Sequence, residues 1–165
     1  MNLATYTKSL QKSLRSRTLS HLIRDGRLLL GYKKTGFGKG NLLGIGGKVE
    51  EGETIEEAMI REDGEEIFVK PLTYRKVAVL KFLFPHAPEP KKWNQEVHVF
   101  LVDTWEGEPT ESDEIRPEWF DLNNIPYDRT WDDYQYWLPK VLAGEYVEAA
   151  FLFDAELKVE EHVFY

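Results

Sequence analysis

The chain has 165 residues, 42% hydrophobic and 30% charged, which suits one globular domain with a substantial core rather than disorder. A formal net charge of −8 argues against general nucleic-acid or membrane-surface binding, though not against a small phosphorylated ligand held through a metal. With no cysteine there is no disulfide, thiolate zinc site or cysteine nucleophile, which fits a reducing cytoplasm, and no apolar run reaches the roughly 18 residues of a membrane helix.

The first 24 residues, MNLATYTKSLQKSLRSRTLSHLIR, hold Lys8, Lys12, Arg15, Arg17 and Arg24 and no acid. They read either as an organelle transit peptide or as a short basic extension, with Leu3, Leu10 and Leu14 packing one helical face on the domain. The extension is favoured because a strand is expected from about Thr18, giving an extension over 1–17 and a single domain over 18–165.

TLSHLIRDGRLLLGYKK predicts two strands around the turn Asp25-Gly26. TGFGKGNLLGIGGK, with six glycines in fourteen residues, is a loop that needs positive φ or close backbone approach. Thr54 with Glu57 forms a capping-box pattern, so a helix is expected from about Ile55 to Ile67. LTYRKVAVLKFLF and EVHVFLVDTWEG read as long strands separated by the proline-containing loop PHAPEPKKWNQ. EIRPEWFDLNNIP suggests a short strand and a turn. WDDYQYWLPKVLAGE suggests a second helix with an Asp cap, a kink at Pro139 and Gly144 at its C′ position. YVEAAFLFD and ELKVEEHVFY form a closing hairpin. The whole predicts a mixed sheet with helices packed on it, an α/β class fold.

The segment from Glu50 to Glu66 carries nine acidic residues and one arginine. On the expected helix, Glu62, Glu65 and Glu66 stand at i, i+3 and i+4, so three carboxylates share nearly one face and repel one another. A hard cation such as Mg²⁺ or Mn²⁺ would offset that repulsion, keeping waters and accepting substrate phosphates as further ligands. The bland alternative is a solvated acidic face. Glu53 is well placed to pair with Arg61, and the Gly46-Gly47 turn lets backbone approach a ligand. His21, His86, His98 and His162 are scattered without metal-ligand spacing, and His98 reads as structural.

The stretch GGKVEEGETIEEAMIREDGEEIFV resembles the Nudix box, G-x5-E-x7-R-E-U-x-E-E-x-G-U with U apolar. Gly47, Glu53, Arg61, Glu62, Glu65, Glu66 and Val69 match in register. Two positions depart: Asp63 stands where an apolar residue is expected, and Phe68 where glycine is. The first would put a carboxylate on the core side of the helix unless it has a partner. The second would cost about 1–2 kcal/mol if Phe68 adopts the left-handed conformation. LLLGYKKTGFGKG, EVHVF, ESDEIRPEWF and YWLP extend the resemblance over roughly Thr18 to Tyr165, to the MutT-like branch and the animal-type oxidised-purine nucleoside triphosphatases within it.

That resemblance implies the Nudix fold, a mixed sheet between helices in an α/β/α sandwich. It implies Mg²⁺ (Mn²⁺ as substitute) held by Glu62, Glu66 and the Gly46 carbonyl, with Glu65 a ligand or a positioner of the attacking water, Glu114 a further ligand or the general base, and Lys33 near the phosphates. For the base it implies a pocket of Thr18, Phe37 and Trp131 with two neighbouring Asp residues. Asp133 matches the first and Tyr134 falls on the second, unless a one-residue slip restores the pair as Asp132 and Asp133. Leu43 falls where an Asn is expected, a loss that would relax base discrimination. Read alone, Trp131 and Trp137 are core and Asp133 a helix cap. The implied activity is hydrolysis of oxidised purine nucleoside triphosphates, such as 8-oxo-dGTP, to the monophosphate and pyrophosphate. The alternatives are another nucleoside diphosphate-X substrate or a non-catalytic sensing module, against which the complete R-E-x-x-E-E set argues. The expected partner is a small nucleotide, with no long nucleic acid and no membrane, on a monomer or weak dimer.

Overall fold

The computed structural model describes residues 2–10 and 14–165; Lys12, counted above among the basic residues of the extension, lies outside them. Strand alternation explains the layering. Along β5 (Gln95–Glu106), Val97, Val99 and Leu101 face one way while Phe100 and Val102 face the other. The first set meets α4 (Tyr134–Leu142) through Trp137, Leu138 and Val141. The second meets α2 (Ile55–Ile67) through Met59 and Ile67. The strand β2 (Arg27–Lys33) divides in the same way, Leu28 and Leu30 against Leu29. Each fully buried side chain of this size contributes about 1.5–3 kcal/mol, so the two faces anchor the sheet between the helices.

Strand order is β3 (Leu42–Leu43), β2, β1 (Arg15–Arg24), β5, β4 (Lys70–Leu83), β7 (Val147–Phe153), β8 (Val159–Phe164), with β6 (Ile115–Asp121) paired to β2. The sheet is mixed: β1 runs parallel to β5 and β4 parallel to β7, while the other pairs are antiparallel. The architecture is the mixed sheet between helices that the sequence predicts. Asp25 and Gly26 take positive φ at the β1–β2 turn, and β1 begins at Arg15, three residues before the expected strand start.

The extension packs on the domain through a helical face, as expected, and one short helix was not among the expected elements. The helix α1 (Leu3–Ser9), capped by Asn2, buries Leu3 and Tyr6 on Leu83, Ala150 and Leu152, with Leu10 and Leu14 packed beside them. One turn, α3 (Pro90–Trp93), interrupts the loop after β4, with proline at its first position. No helix among the described residues is long and apolar enough to cross a membrane.

Candidate active site

Thr54 starts α2 by accepting the Glu57 N–H at 3.1 Å. The helix then buries Ala58, Met59, Asp63 and Ile67, which turns Glu62, Glu65 and Glu66 to its other side. These three carboxylates and Glu114 line one cleft of about 640 Å³. Glu53 meets Arg61 as a bidentate pair, Nε at 2.7 Å and Nη2 at 3.0 Å. Arg61 also donates to Glu62 Oε1 at 2.9 Å, Glu65 Oε2 at 3.2 Å and the Lys48 carbonyl at 3.0 Å. One guanidinium therefore ties the loop to the helix and shares its charge among four acids, Glu50 at 3.8 Å being the fourth.

Gly46 is glycine for a steric reason, and Gly47 lies tight against the Glu62 carboxylate. A Cβ on Gly46 would run into the Thr18 carbonyl, and one on Gly47 would come within 2.5 Å of Glu62 Oε1. The Gly46 N–H donates to Glu66 Oε2 at 3.3 Å. Burial pushes Glu66 up to about 8, and the Glu62 carboxylate adds to the rise. Burial also raises Glu62, against the Arg61 hydrogen bond. Among the described residues no three acids converge as a ready-made cation shell, since Arg61 already engages Glu62 and Glu65. The donors still fit a hard divalent cation: crowded carboxylates and a glycine backbone held against them, oxygen ligands throughout.

Two cations face these acids. Lys33 lines the neighbouring pocket together with Arg17. Burial lowers the pKa of both, while Glu66 pulls both back up. Sequence reading assigned Arg17 to the basic extension. Its pairing with Val97 of β5 brings it to the site, a contact too distant in sequence for local patterns to reveal.

The neighbouring pocket, of about 140 Å³, brings together Thr18, Phe37, Leu43, Trp131 and Asp133 with Gly46 and Gly47. Asp132 is elsewhere: its carboxylate accepts the Val159 N–H at 2.8 Å and Gln135 Nε2 at 3.0 Å. The one-residue slip that would pair Asp132 with Asp133 is therefore not what the chain adopts, because Asp132 is occupied in fastening the β7–β8 hairpin to α4. Nor does the Asp133 side chain cap α4. Its Oδ2 accepts Trp137 Nε1–H at 2.7 Å, and burial pushes it up to about 7. Thr18 Oγ1 and Trp131 Nε1 are buried without a partner.

Tyr134 takes part in a chain that the sequence did not suggest. Its hydroxyl oxygen accepts the Gly44 N–H at 2.7 Å and lies 3.1 Å from His21 Nε2. His21 Nδ1 lies 3.1 Å from the Leu29 carbonyl. The carbonyl can only accept, so Nδ1 carries the proton and Nε2 accepts from Tyr134. Burial pushes His21 down to about 4, so the chain is neutral. Ser20 and Asp63 form a second buried pair, Oγ donating to Oδ1 at 2.6 Å. Burial pushes Asp63 up to about 8. Phe68 ends α2 at φ 61° and ψ 36°, is 56% exposed, and lies on the lip of the acidic cleft.

The NUDIX domain model matches residues 14–141. The chain is 43% identical over 145 residues to an oxidized purine nucleoside triphosphate hydrolase of Danio rerio, covering 88% of this chain and 90% of that protein. It is 46% identical over 125 residues to the Mus musculus protein of the same name, covering 76% and 78%. Its fold superposes on the Bacillus halodurans MutT crystal structure with a TM-score of 0.77 at 19% identity, covering 92% and 97%. An arginine-clamped acidic helix against a double-glycine turn, set on this mixed sheet, is the local counterpart of those likenesses: the chain belongs to the Nudix family.

Proposed function

We propose that the protein hydrolyses purine nucleoside triphosphates, oxidised ones such as 8-oxo-dGTP among them, to the monophosphate and pyrophosphate, thereby clearing damaged nucleotides. Mg²⁺ is the expected cation, with Mn²⁺ a substitute. The observation that carries this is the junction of two cavities. The acidic cleft and the aromatic-walled pocket meet at Gly46 and Gly47, which touch Glu66 and Glu62 on one side and line the pocket on the other. Phosphates and a flat base fit the two halves.

Glu62, Glu66 and the Gly46 carbonyl would hold the cation, with Glu65 or Glu114 as a further ligand. When bound, it neutralises phosphate charge and acidifies water. The carboxylate of Glu65 or Glu114 that is not so engaged takes the proton of the attacking water. Arg17 and Lys33 orient the phosphates. Trp131 and Phe37 wall the base, while Thr18 Oγ1 and Trp131 Nε1 offer it unused hydrogen-bonding capacity. Asp133, with a pKa of about 7, is available near neutral pH both as an O–H donor and as an acceptor.

The second reading, a diphosphate-linked substrate such as a nucleotide sugar, ADP-ribose or a dinucleoside polyphosphate, is favoured by one feature: Phe68 at the cleft's lip offers an apolar face beyond the phosphates. A panel of dNTPs, 8-oxo-dGTP, 2-oxo-dATP, ADP-ribose, nucleotide sugars and a dinucleoside polyphosphate, assayed with Mg²⁺ for pyrophosphate and phosphate, decides. Pyrophosphate chiefly from oxidised purines supports the first reading. Cleavage confined to diphosphate-linked compounds overturns it in favour of the second.

A further inference from the structure

The N-terminal helix lies outside the chemistry above, yet it is wired to the pocket. Tyr6, 8% exposed, packs with Leu3 on Leu83, Ala150 and Leu152. Its hydroxyl oxygen accepts Asn94 Nδ2–H at 2.8 Å. Asn94 is 4% exposed. Its Oδ1 accepts the Phe84 N–H at 2.7 Å, and its own N–H donates to the Pro90 carbonyl at 2.8 Å. The Phe84 N–H can only donate, so the amide oxygen faces Phe84 and the amide nitrogen faces Tyr6.

Phe84 and Gln95 both line the pocket that we assign to the base. The Phe84 ring stacks on Phe153 at 4.8 Å and meets Phe37 and Trp131 edge-on. Residues 84–94 join β4 to β5. Asn94 therefore fastens one end of this loop to the other, and Tyr6 fastens the closed loop to α1. An aromatic wall held through backbone hydrogen bonds at its rim has little freedom to drift, and small displacements of a substrate-holding group weaken binding.

We infer that Tyr6 and Asn94 are positioning residues: acting through the Phe84 N–H, they set the aromatic wall and thereby the affinity for the base. The inference rests on the reading of this pocket as the base site. Neither residue touches the acidic cleft, so the chemical step is left alone and the effect falls on KM.

The test is the full-length Tyr6→Phe variant, which keeps the ring and its packing but cuts the tie. KM for the nucleoside triphosphate that the parent hydrolyses best should rise about three- to tenfold with kcat within about twofold, as expected when binding is lost equally from the ground and transition states. Asn94→Asp should keep a near-parent KM, because a carboxylate accepts from both the Phe84 N–H and the Tyr6 hydroxyl. Adding Tyr6→Phe to it should restore the defect. Hydrogen exchange at the Phe84 amide should quicken in Tyr6→Phe and not in Asn94→Asp. An unchanged KM in Tyr6→Phe overturns the inference, even if the melting temperature falls. Should the parent hydrolyse no nucleoside triphosphate, the proposed function fails by itself. The tie is then judged by exchange at Phe84, and an unchanged rate there overturns it.

Discussion

The acidic cleft takes Glu62, Glu65 and Glu66 from one helix, whereas the aromatic-walled pocket takes Thr18 from β1, Phe84 from the start of the β4–β5 loop, Gln95 from the first position of β5, and Trp131 and Asp133 from the approach to α4. The two also differ in how they handle polarity. The cleft stacks like charges and holds them with one arginine. The pocket holds its polar groups through hydrogen bonds, Tyr134 to His21, Gly44 N–H to Tyr134 and Trp137 to Asp133, while burial favours the neutral forms of His21 and Asp133. Chemistry that depends on i, i+3 and i+4 spacing tolerates little change. Recognition assembled from separate segments depends on strand pairing rather than on spacing along one helix.

Substitutions at the two regions should therefore fail in different ways. The largest effect is expected in the cleft. Glu66→Gln should lower kcat at least about 100-fold in Mg²⁺, with the fold intact by circular dichroism; turnover near the parent rate would remove Glu66 from the chemistry. In the pocket the leading effect is on stability. Asp133 has a folded pKa of about 7, above the roughly 3.9 of an unfolded Asp. Its contribution to stability is full below about pH 4 and is lost as pH rises through about 7, on the order of a few kcal/mol. Asp133→Asn, which keeps an acceptor for Trp137, should therefore gain in melting temperature relative to the parent between pH 5 and pH 8.5. A pH-independent difference would show that Asp133 titrates normally.

Next in size, Tyr134→Phe strips the acceptor from the Gly44 N–H and the donor from His21, and should cost about 1–3 kcal/mol in denaturant unfolding. Near-parent stability would mean that the chain is not needed. The Ser20–Asp63 pair behaves as a smaller version. Asp63→Leu alone orphans the Ser20 hydroxyl, whereas Ser20→Val with Asp63→Leu restores an apolar contact, so a double-mutant cycle should give a favourable coupling of about 1 kcal/mol. Simple additivity would refute the pair. Smallest of all, Phe68→Gly should raise stability by about 1 kcal/mol by relieving the left-handed backbone; a fall would mean that the exposed ring has packing value.

Much of the fold was legible because its signals are local. The helix α2 has the expected bounds, with Thr54 as its cap, and Gly144 takes positive φ just past α4. The carboxylate face and the Arg61–Glu53 pair could be read from spacing alone. What escaped was non-local. The two residues of β3 are a strand through pairing with β2 and a bridge from Leu42 to Thr130. Arg17 reaches the pocket beside the cleft only because β1 lies beside β5. Asp133, legible as a cap, is claimed instead by Trp137 four residues on. Nothing near His21 in sequence announces that Tyr134 will meet it.

The strand pairing has a kinetic consequence. Arg15 pairs in parallel with Gln95, and Ala78 with Val147. Parallel partners so far apart close only after most of the chain is available, and long-range closure slows folding. The pocket, which needs β1, β5 and the approach to α4 together, should therefore be completed late, after helix α2 and the antiparallel β4–β5 pair. During synthesis the hydrophobic β1–β2 hairpin must wait for β5 and β6, about 80 or more residues further along the chain, an interval in which a bound chaperone or a low temperature would raise the yield of active protein.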